Sequence, residues 1–103
     1  MELIYISGPY RANENGGVFE NIQRASLKAK ELWKHGYAVL CPHLNTAHFE
    51  NVLTIEQLLE GDLEMLSRCD LIYMLKGWEE SAGAVMEHAL AKDMGMVIIY
   101  DRT

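Results

Sequence analysis

The sequence lacks the features that several common classes of protein require. Its 103 residues include two cysteines, Cys41 and Cys69, which do not have the CxxC spacing of a metal or redox site. Both are therefore predicted to be small buried residues. There is no signal sequence and no apolar run near the ~18 residues that span a bilayer, so we expect no membrane segment and a cytoplasmic location.

Basic residues are also scarce. Nine Lys and Arg stand against 15 Asp and Glu, which gives a formal net charge of −6. A nucleic-acid polymer would be repelled by this charge, so we expect no such partner. Neither GxGxxG nor GxxxxGK[ST] occurs, which argues against dinucleotide binding and P-loop phosphoryl transfer. A small anionic ligand remains compatible, because a helix N-terminus and one arginine can hold a phosphate.

Metal-ligand patterns and linkers are missing as well. His43 and His48 have neither a metal-ligand spacing nor a third ligand nearby, so we expect no metal site. Half of the residues are apolar, and there is no internal repeat and no low-complexity tract. Residues 1–103 are therefore predicted to form one globular domain.

Four short apolar runs alternate with segments of helical periodicity. The runs indicate strands at 3–6, 37–41, 70–75 and 96–100. Helices are expected between the polar loop 11–17 and Gly36, from Thr54 to about Arg68, and from Ser81 onward, with a loop between the second strand and Thr54. Apolar strands separated by helices indicate a parallel sheet covered on both faces. The predicted fold is a small doubly wound, flavodoxin- or Rossmann-like α/β domain with strand order 2-1-3-4.

That strand order predicts where a ligand would bind. In such sheets, ligands lie outside the carboxyl ends of the strands where the order reverses, here at residues 7–11 and 76–81. Gly8 and Gly83 would let the backbone approach a ligand, and Ser81 with the free N–H groups of its helix would form an anion site. The structural alternative is a tight turn and an ordinary N-cap.

Two carboxylates occupy positions where an apolar residue is expected. Glu87 lies in the otherwise apolar segment 81–91 and has no basic partner three or four residues on. Asp62 interrupts the helical stripe that includes Leu58, Leu59 and Leu66, although a helix phase one residue away would turn it to water. Two inward carboxylates match chemistry at the anomeric carbon of a sugar, with one as nucleophile and one as proton donor.

Several polar and aromatic side chains allow two interpretations each. Tyr5, on a predicted strand, is either a core residue or the hydroxyl that orients the nucleophilic carboxylate. Arg11 is either a solvated charge or a phosphate ligand. Trp78 and Tyr10 either stack on a base or form a subunit contact.

Three parts of the sequence belong together: Tyr5-Ile-Ser-Gly8, Asp62 and Gly77-Trp-Glu-Glu-Ser-Ala-Gly-Ala-Val-Met-Glu87. In their order and spacing, they resemble the nucleoside 2-deoxyribosyltransferase superfamily. This superfamily includes the 2′-deoxynucleoside 5′-phosphate N-hydrolases. The resemblance spans nearly the whole chain and is closest to a branch of small members with a GWExSxGAxxE loop and helix.

The resemblance implies roles for individual residues. Glu87 is similar to the nucleophile, Asp62 to the acid that helps the base depart, and Tyr5 to the hydroxyl that positions the nucleophile. Arg11, Ser81 and Gly83 match positions that hold the 5′-phosphate in the nucleotide hydrolases, whereas Pro9 stands where those enzymes have a phosphate-contacting serine. The substrate-binding residues expected on this basis are Gly8, Pro9, Arg11, Gly77, Trp78, Ser81 and Gly83.

The expected function is cleavage or transfer of the N-glycosidic bond of a (deoxy)nucleoside or nucleoside 5′-monophosphate through a covalent ribosyl-Glu87 intermediate, without a cofactor. Two alternatives belong to other classes. One is a nucleotide-binding module without turnover. The other is a homo-oligomeric interaction domain with Trp78, Tyr10 and Phe19 as its contact surface. Homo-oligomers are expected in each case, because a partner subunit could complete an exposed site.

Overall fold

The computed structural model describes residues 1–12 and 16–102, so residues 13–15 of the predicted polar loop lie outside the described residues. The strands are β1 (Leu3–Ser7), β2 (Ala38–Leu40), β3 (Leu71–Met74) and β4 (Val97–Tyr100). The helices are α1 (Val18–Lys34), α2 (Pro42–Asn45), α3 (Ile55–Leu66) and α4 (Ala82–Asp93), with short 3₁₀ turns at Phe49–Asn51 and Trp78–Glu80.

The four strands form one parallel sheet in the order β2-β1-β3-β4. Tyr5 pairs with Leu40 on one side and with Ile72 on the other, and Ser7 lies beside Met74. The predicted α/β class and strand order are confirmed. The order reverses between β1 and β3, so the loops that follow these two strands leave the same edge of the sheet.

The alternation of β1 assigns its side chains to opposite faces of the sheet. Ile4 and Ile6 pack in one cluster with α1, whose contributing residues are Ala25, Ala29 and Leu32. Tyr5 packs in a second cluster with Leu66 of α3 and Ala84 of α4. Helices therefore cover both faces, as predicted, and α3 and α4 share one of them.

The helix ends follow the sequence signals. Gly36, just past the end of α1, has φ +96°, a conformation that glycine adopts at little cost. Thr54 and Gln57 form the predicted capping box: Gln57 N–H donates to Thr54 Oγ1 at 3.1 Å, and Thr54 N–H donates to Gln57 Oε1 at 2.9 Å.

The segment between β2 and α3 differs from the predicted loop. Pro42, the first residue after the predicted second strand, occupies the first turn of the short helix α2. Proline is well suited to that position because its missing N–H is not needed there. The helix buries His43, which lies 4% exposed.

Cys41 and Cys69 are free and buried, which confirms the prediction made for them. Within residues 1–12 and 16–102, no helix has both the length and the apolar character needed to cross a membrane.

Candidate active site

Glu87 lies in the middle of α4 and is 7% exposed, so its carboxyl group faces the sheet. Tyr5 Oη donates to Glu87 Oε2 at 2.7 Å, and Ser7 Oγ donates to Oε1 at 2.6 Å. Tyr5 and Ser7 are two residues apart on β1, so both point to the face that α4 covers. Each carboxylate oxygen of Glu87 therefore has one hydroxyl donor from the same strand.

The protonation of Glu87 reflects two opposing effects. Burial raises its pKa to about 7, because the ionised form loses the stabilisation of water. The hydrogen bonds from Ser7 and Tyr5 favour the ionised form and act in the opposite direction, and the negative charge of Asp62 raises the pKa a little further. Glu87 thus exchanges its proton close to neutral pH.

Asp62 lies on α3, on the same face of the sheet as Glu87, and is only partly buried. Burial raises its pKa to about 6. Burial also raises the pKa of Tyr5, with the charges of Glu87 and Asp62 adding to the effect. Tyr5 consequently stays protonated and donates, while two carboxyl groups titrate near neutrality beside it.

The loop after β1 carries Gly8, Pro9 and Arg11. A Cβ on Gly8 would lie 2.7 Å from Cβ of Leu75, so packing between the ends of the two central strands already accounts for this glycine. Pro9 is buried and its carbonyl accepts a hydrogen bond from His43 Nε2 at 2.8 Å. Arg11 is exposed at the end of this loop.

The loop after β3 leads into the N-terminus of α4. Gly77 has φ +88°, a left-handed conformation that explains why glycine occupies the turn. Ser81 is the N-cap, and its Oγ accepts from Ala84 N–H at 3.3 Å. A Cβ on Gly83 would meet only Leu59 Cδ1, at 3.9 Å, so the fold itself leaves room for a side chain there. Packing therefore does not explain why position 83 is a glycine, whereas it does explain the glycine at position 8.

Trp78 and Tyr10, the aromatic residues considered for base stacking or a subunit contact, already interact with other groups of the protein. The indole of Trp78 stacks on the imidazole of His88, with ring centres 4.2 Å apart and planes inclined by 27°. His88 Nε2 lies 2.7 Å from Tyr100 Oη. The hydroxyl of Tyr10 accepts from His48 N–H at 2.7 Å and donates to Glu50 at 3.0 Å.

Ser7 is the residue that the sequence interpretation missed. The predicted first strand ends at Ile6, yet Ser7 is the last residue of β1 and is 1% exposed. The signal that could have identified it is its spacing: a residue two positions after Tyr5 in a strand shares the same face. His88 and Tyr100, which contact Trp78, carried no such signal.

The arrangement offers a buried carboxylate in a fixed orientation, a second carboxyl group on the same face, and the N-terminus of the helix that carries Glu87. Such a set suits nucleophilic attack with proton transfer to a leaving group. Among the described residues, no group of three or more His, Cys, Asp and Glu side chains is placed to hold a metal ion.

The fold is similar to that of a solved structure, the 2-deoxyribosyltransferase of the psychrotolerant bacterium Bacillus psychrosaccharolyticus. The TM-score is 0.66 and the sequence identity 18%, over 95% of this chain and 70% of that chain. This likeness confirms the resemblance to the 2-deoxyribosyltransferase superfamily at the level of the fold. No curated protein sequence matches the chain. Residues 2–100 match the family described as "Domain of unknown function (DUF4406)", and the chain belongs to that family.

Proposed function

We propose that this protein cleaves or transfers the N-glycosidic bond of a (deoxy)nucleoside or nucleoside 5′-monophosphate, with Glu87 as nucleophile. The observation that carries the proposal is the buried Glu87 carboxyl group held by the hydroxyls of Tyr5 and Ser7. A carboxylate with each oxygen fixed by a donor has its free lone pairs in defined directions, as in-line attack on a sugar carbon requires. The 2-deoxyribosyltransferase fold adds support by analogy.

In the first step, a Glu87 oxygen attacks C1′ of the sugar. A C–O bond to the enzyme forms while the C1′–N bond to the base breaks, and its electron pair leaves with the base. The proton of Asp62 passes to the departing base, which leaves as a neutral molecule. Tyr5 and Ser7 keep their hydrogen bonds to Glu87 and hold the ester in place.

In the second step, a nucleophile attacks C1′ and releases Glu87 as a carboxylate. If the nucleophile is water, Asp62 takes up its proton and the product is the free sugar or sugar phosphate. If the nucleophile is a ring nitrogen of a second base, its proton returns to Asp62 and the product is a new nucleoside. Both routes restore the starting protonation of the two acids.

The first step requires an ionised Glu87 and a protonated Asp62. Burial raises the pKa of both groups, Glu87 to about 7 and Asp62 to about 6, so this combination is one of the singly protonated forms of the pair. Activity is therefore expected between the two pKa values of the pair, near pH 6 to 7.

The 5′-phosphate of a nucleotide substrate would bind at the N-terminus of α4. Ser81 begins this helix, Gly83 leaves space in its first turn, and the positive end of the helix dipole attracts an anion. Arg11, exposed on the neighbouring loop, supplies a positive charge. A nucleotide substrate is thus compatible with a net charge of −6.

The test is an HPLC assay of free base released from ribo- and deoxyribonucleosides and their 5′-monophosphates, with and without an added acceptor base. Wild type is expected to release base from at least one class of substrate. Glu87→Gln is expected to release none, while retaining a far-UV circular dichroism spectrum like that of wild type. Intact-mass spectrometry of quenched wild type should detect one added sugar, or sugar phosphate, located on the peptide that contains Glu87.

Two outcomes would contradict the proposal. Base release that persists in Glu87→Gln would assign the chemistry elsewhere. Absence of release from every substrate, combined with calorimetric nucleotide binding that Glu87→Ala leaves unchanged, would indicate a binding module without turnover.

We also propose that the chain forms homo-oligomers. Large apolar side chains are exposed around α3 and α4, among them Val52 at 79%, Ile55 at 54% and Met86 at 48%. A face with large exposed apolar side chains is a candidate association surface. Light scattering coupled to size-exclusion chromatography should give a mass above the 11.7 kDa of one chain, and Met86→Lys should lower it. A wild-type mass of one chain at high protein concentration would contradict this part of the proposal.

A further inference from the structure

Four strongly polar side chains are buried among the described residues: Ser7, Asn21, His43 and Glu87. Buried polar groups are costly unless hydrogen-bonded, so each of them needs a reason. Ser7 and Glu87 bond to each other in the site. Asn21 and His43 form their hydrogen bonds elsewhere, and neither belongs to the set of residues described so far as catalytic or substrate-binding.

Asn21 and His43 both donate to the backbone of the loop after β1. His43 Nε2 lies 2.8 Å from the carbonyl oxygen of Pro9. Asn21 Nδ2 donates to the carbonyl oxygens of Tyr10, at 3.1 Å, and of Arg11, at 2.7 Å. Three consecutive carbonyl groups of one loop are thus bound by side chains from α1 and α2.

These bonds fix the loop and not merely its ends. A trans peptide is planar, with its C=O and N–H pointing in opposite directions, so a bound carbonyl also sets the direction of the next residue's N–H. The three bonds together orient the peptide planes that lead into Tyr10, Arg11 and Ala12. Asn21 is itself held, because its Oδ1 accepts from Arg24 at 2.9 Å.

His43 has only one ring form that fits its position. A carbonyl oxygen can only accept, so Nε2 carries the proton. Nδ1 is buried and has no hydrogen-bond partner among the described residues. Burial lowers the pKa of His43, which keeps the ring neutral. Tyr10 adds an edge contact, with its ring 5.9 Å from that of His43.

We propose that His43 and Asn21 are positioning residues that hold residues 9–11, and with them the Arg11 backbone, in the conformation that receives the substrate. This role rests on the proposed function, because the loop is a substrate loop only if a nucleoside or nucleotide binds at the ends of β1 and β3. An ordered loop lowers the entropic cost of ligand binding. Neither residue touches the reacting atoms, so the expected effect is on binding.

The first measurement is independent of any substrate. Backbone ¹⁵N relaxation should give order parameters of about 0.85 for the amides of Tyr10, Arg11 and Ala12 in wild type. In His43→Leu, which fills the space without a donor, these values should fall below about 0.6. His43→Gln, whose Nε2 can still donate, should restore them, whereas values elsewhere in the sheet stay unchanged in all variants.

A matched control is provided by His35. Its ring Nδ1 also lies 2.8 Å from a backbone carbonyl, that of Glu31, but on the exposed end of α1. His35→Leu should leave the loop order parameters unchanged. If His43→Leu does not fold, Asn21→Leu tests the same inference by removing the donor to Tyr10 and Arg11.

The second measurement uses the substrate that the base-release assay identifies. His43→Leu should raise KM about tenfold, as expected for loss of a buried hydrogen bond, and change kcat less than about threefold. His43→Gln should recover most of the loss in KM.

Several results of these measurements would overturn the inference that His43 and Asn21 hold the loop. Loop order parameters that are low in wild type, or that are unaffected by His43→Leu and Asn21→Leu, would overturn it, as would a loss of order throughout the sheet. A fall in kcat without a change in KM would also overturn it. If wild type neither binds nor turns over a nucleotide, the proposed function fails, while the order parameters still determine whether the two residues hold the loop.

Discussion

The two faces of β1 are buried to the same extent but differ in chemistry. Ile4 and Ile6 are 0% exposed and pack against α1 with other apolar side chains. Tyr5 is 0% and Ser7 1% exposed, and both bond to Glu87 beneath α4. The same short strand therefore supports an apolar core on one face and a polar site on the other.

The two faces of β1 therefore differ in what they contribute to the stability of the fold. The α1 face gains free energy from apolar burial alone. The α4 face contains a carboxyl group that would be ionised in water and is held near its neutralisation point by burial. Burial of this carboxyl group costs stability on the second face, so substitutions on the two faces should separate stability from the proposed activity.

The largest effect is expected from Glu87→Gln, which removes the proposed nucleophile. Base release should fall at least about a thousandfold. Stability should change in the opposite direction. Because the folded pKa of about 7 exceeds the ordinary value of 4.5, the folded state holds the extra proton between these values, and stability falls as pH rises through this window.

Glu87→Gln should therefore be more stable than wild type at pH 8, by about 1–3 kcal/mol, and the difference should shrink toward pH 4.5. Urea unfolding followed by circular dichroism at the two pH values measures it. A variant less stable than wild type at pH 8 would mean that ionised Glu87 contributes net stability, contrary to this comparison.

On the apolar face, Ile6→Ala should lower the free energy of unfolding by about 2–5 kcal/mol through the cavity it creates. The residual folded protein should keep the pH dependence of wild-type activity, because Ile6 points away from Glu87. Urea unfolding and the pH profile of base release are the two measurements. A shifted profile would mean that the faces are coupled through the strand.

On the polar face, Tyr5→Phe removes one donor to Glu87 with little change in volume. Since this hydrogen bond lowers the pKa of Glu87, its loss should raise that pKa and shift the pH profile of base release to higher pH. Activity at the optimum should fall about ten- to a hundredfold. Stability should fall by only about 1 kcal/mol. An unshifted profile would show that Tyr5 does not act on the ionisation of Glu87.

The smallest effect on stability is expected at Gly83. Gly83→Ala meets only Leu59 at 3.9 Å and should change the free energy of unfolding by less than about 1 kcal/mol. It should nevertheless weaken binding of a nucleoside 5′-monophosphate, measured by calorimetry.

Gly8→Ala is the contrasting variant: its Cβ would lie 2.7 Å from Leu75, so it should destabilise the fold by about 1–3 kcal/mol. Equal affinities for wild type and Gly83→Ala would remove Gly83 from the binding site.

The sheet could be predicted because its strands are nearly continuous apolar runs. The inward direction of Glu87 could be predicted because the residues before it in the helix are apolar. Ser7 was missed because Ser-Gly-Pro is a turn signal, and the strand extends one residue into it. The contact of Gly8 with Leu75 joins residues 67 positions apart, which no local pattern reveals. The same is true of His43, whose role depends on a carbonyl 34 residues away.

Because Trp78 stacks on His88, its fluorescence can be used to follow the loop after β3. A protonated imidazole quenches indole fluorescence, whereas a neutral one quenches it far less. Burial, with the nearby charge of Lys92, lowers the pKa of His88, so emission from Trp78 should drop when the solution becomes acid enough to protonate that ring. Trp33 is 54% exposed on α1, and Trp33→Phe would leave Trp78 as the only tryptophan. Any ligand that moves this loop would then change the wavelength or the intensity of Trp78 emission, and no added label would be needed to detect it.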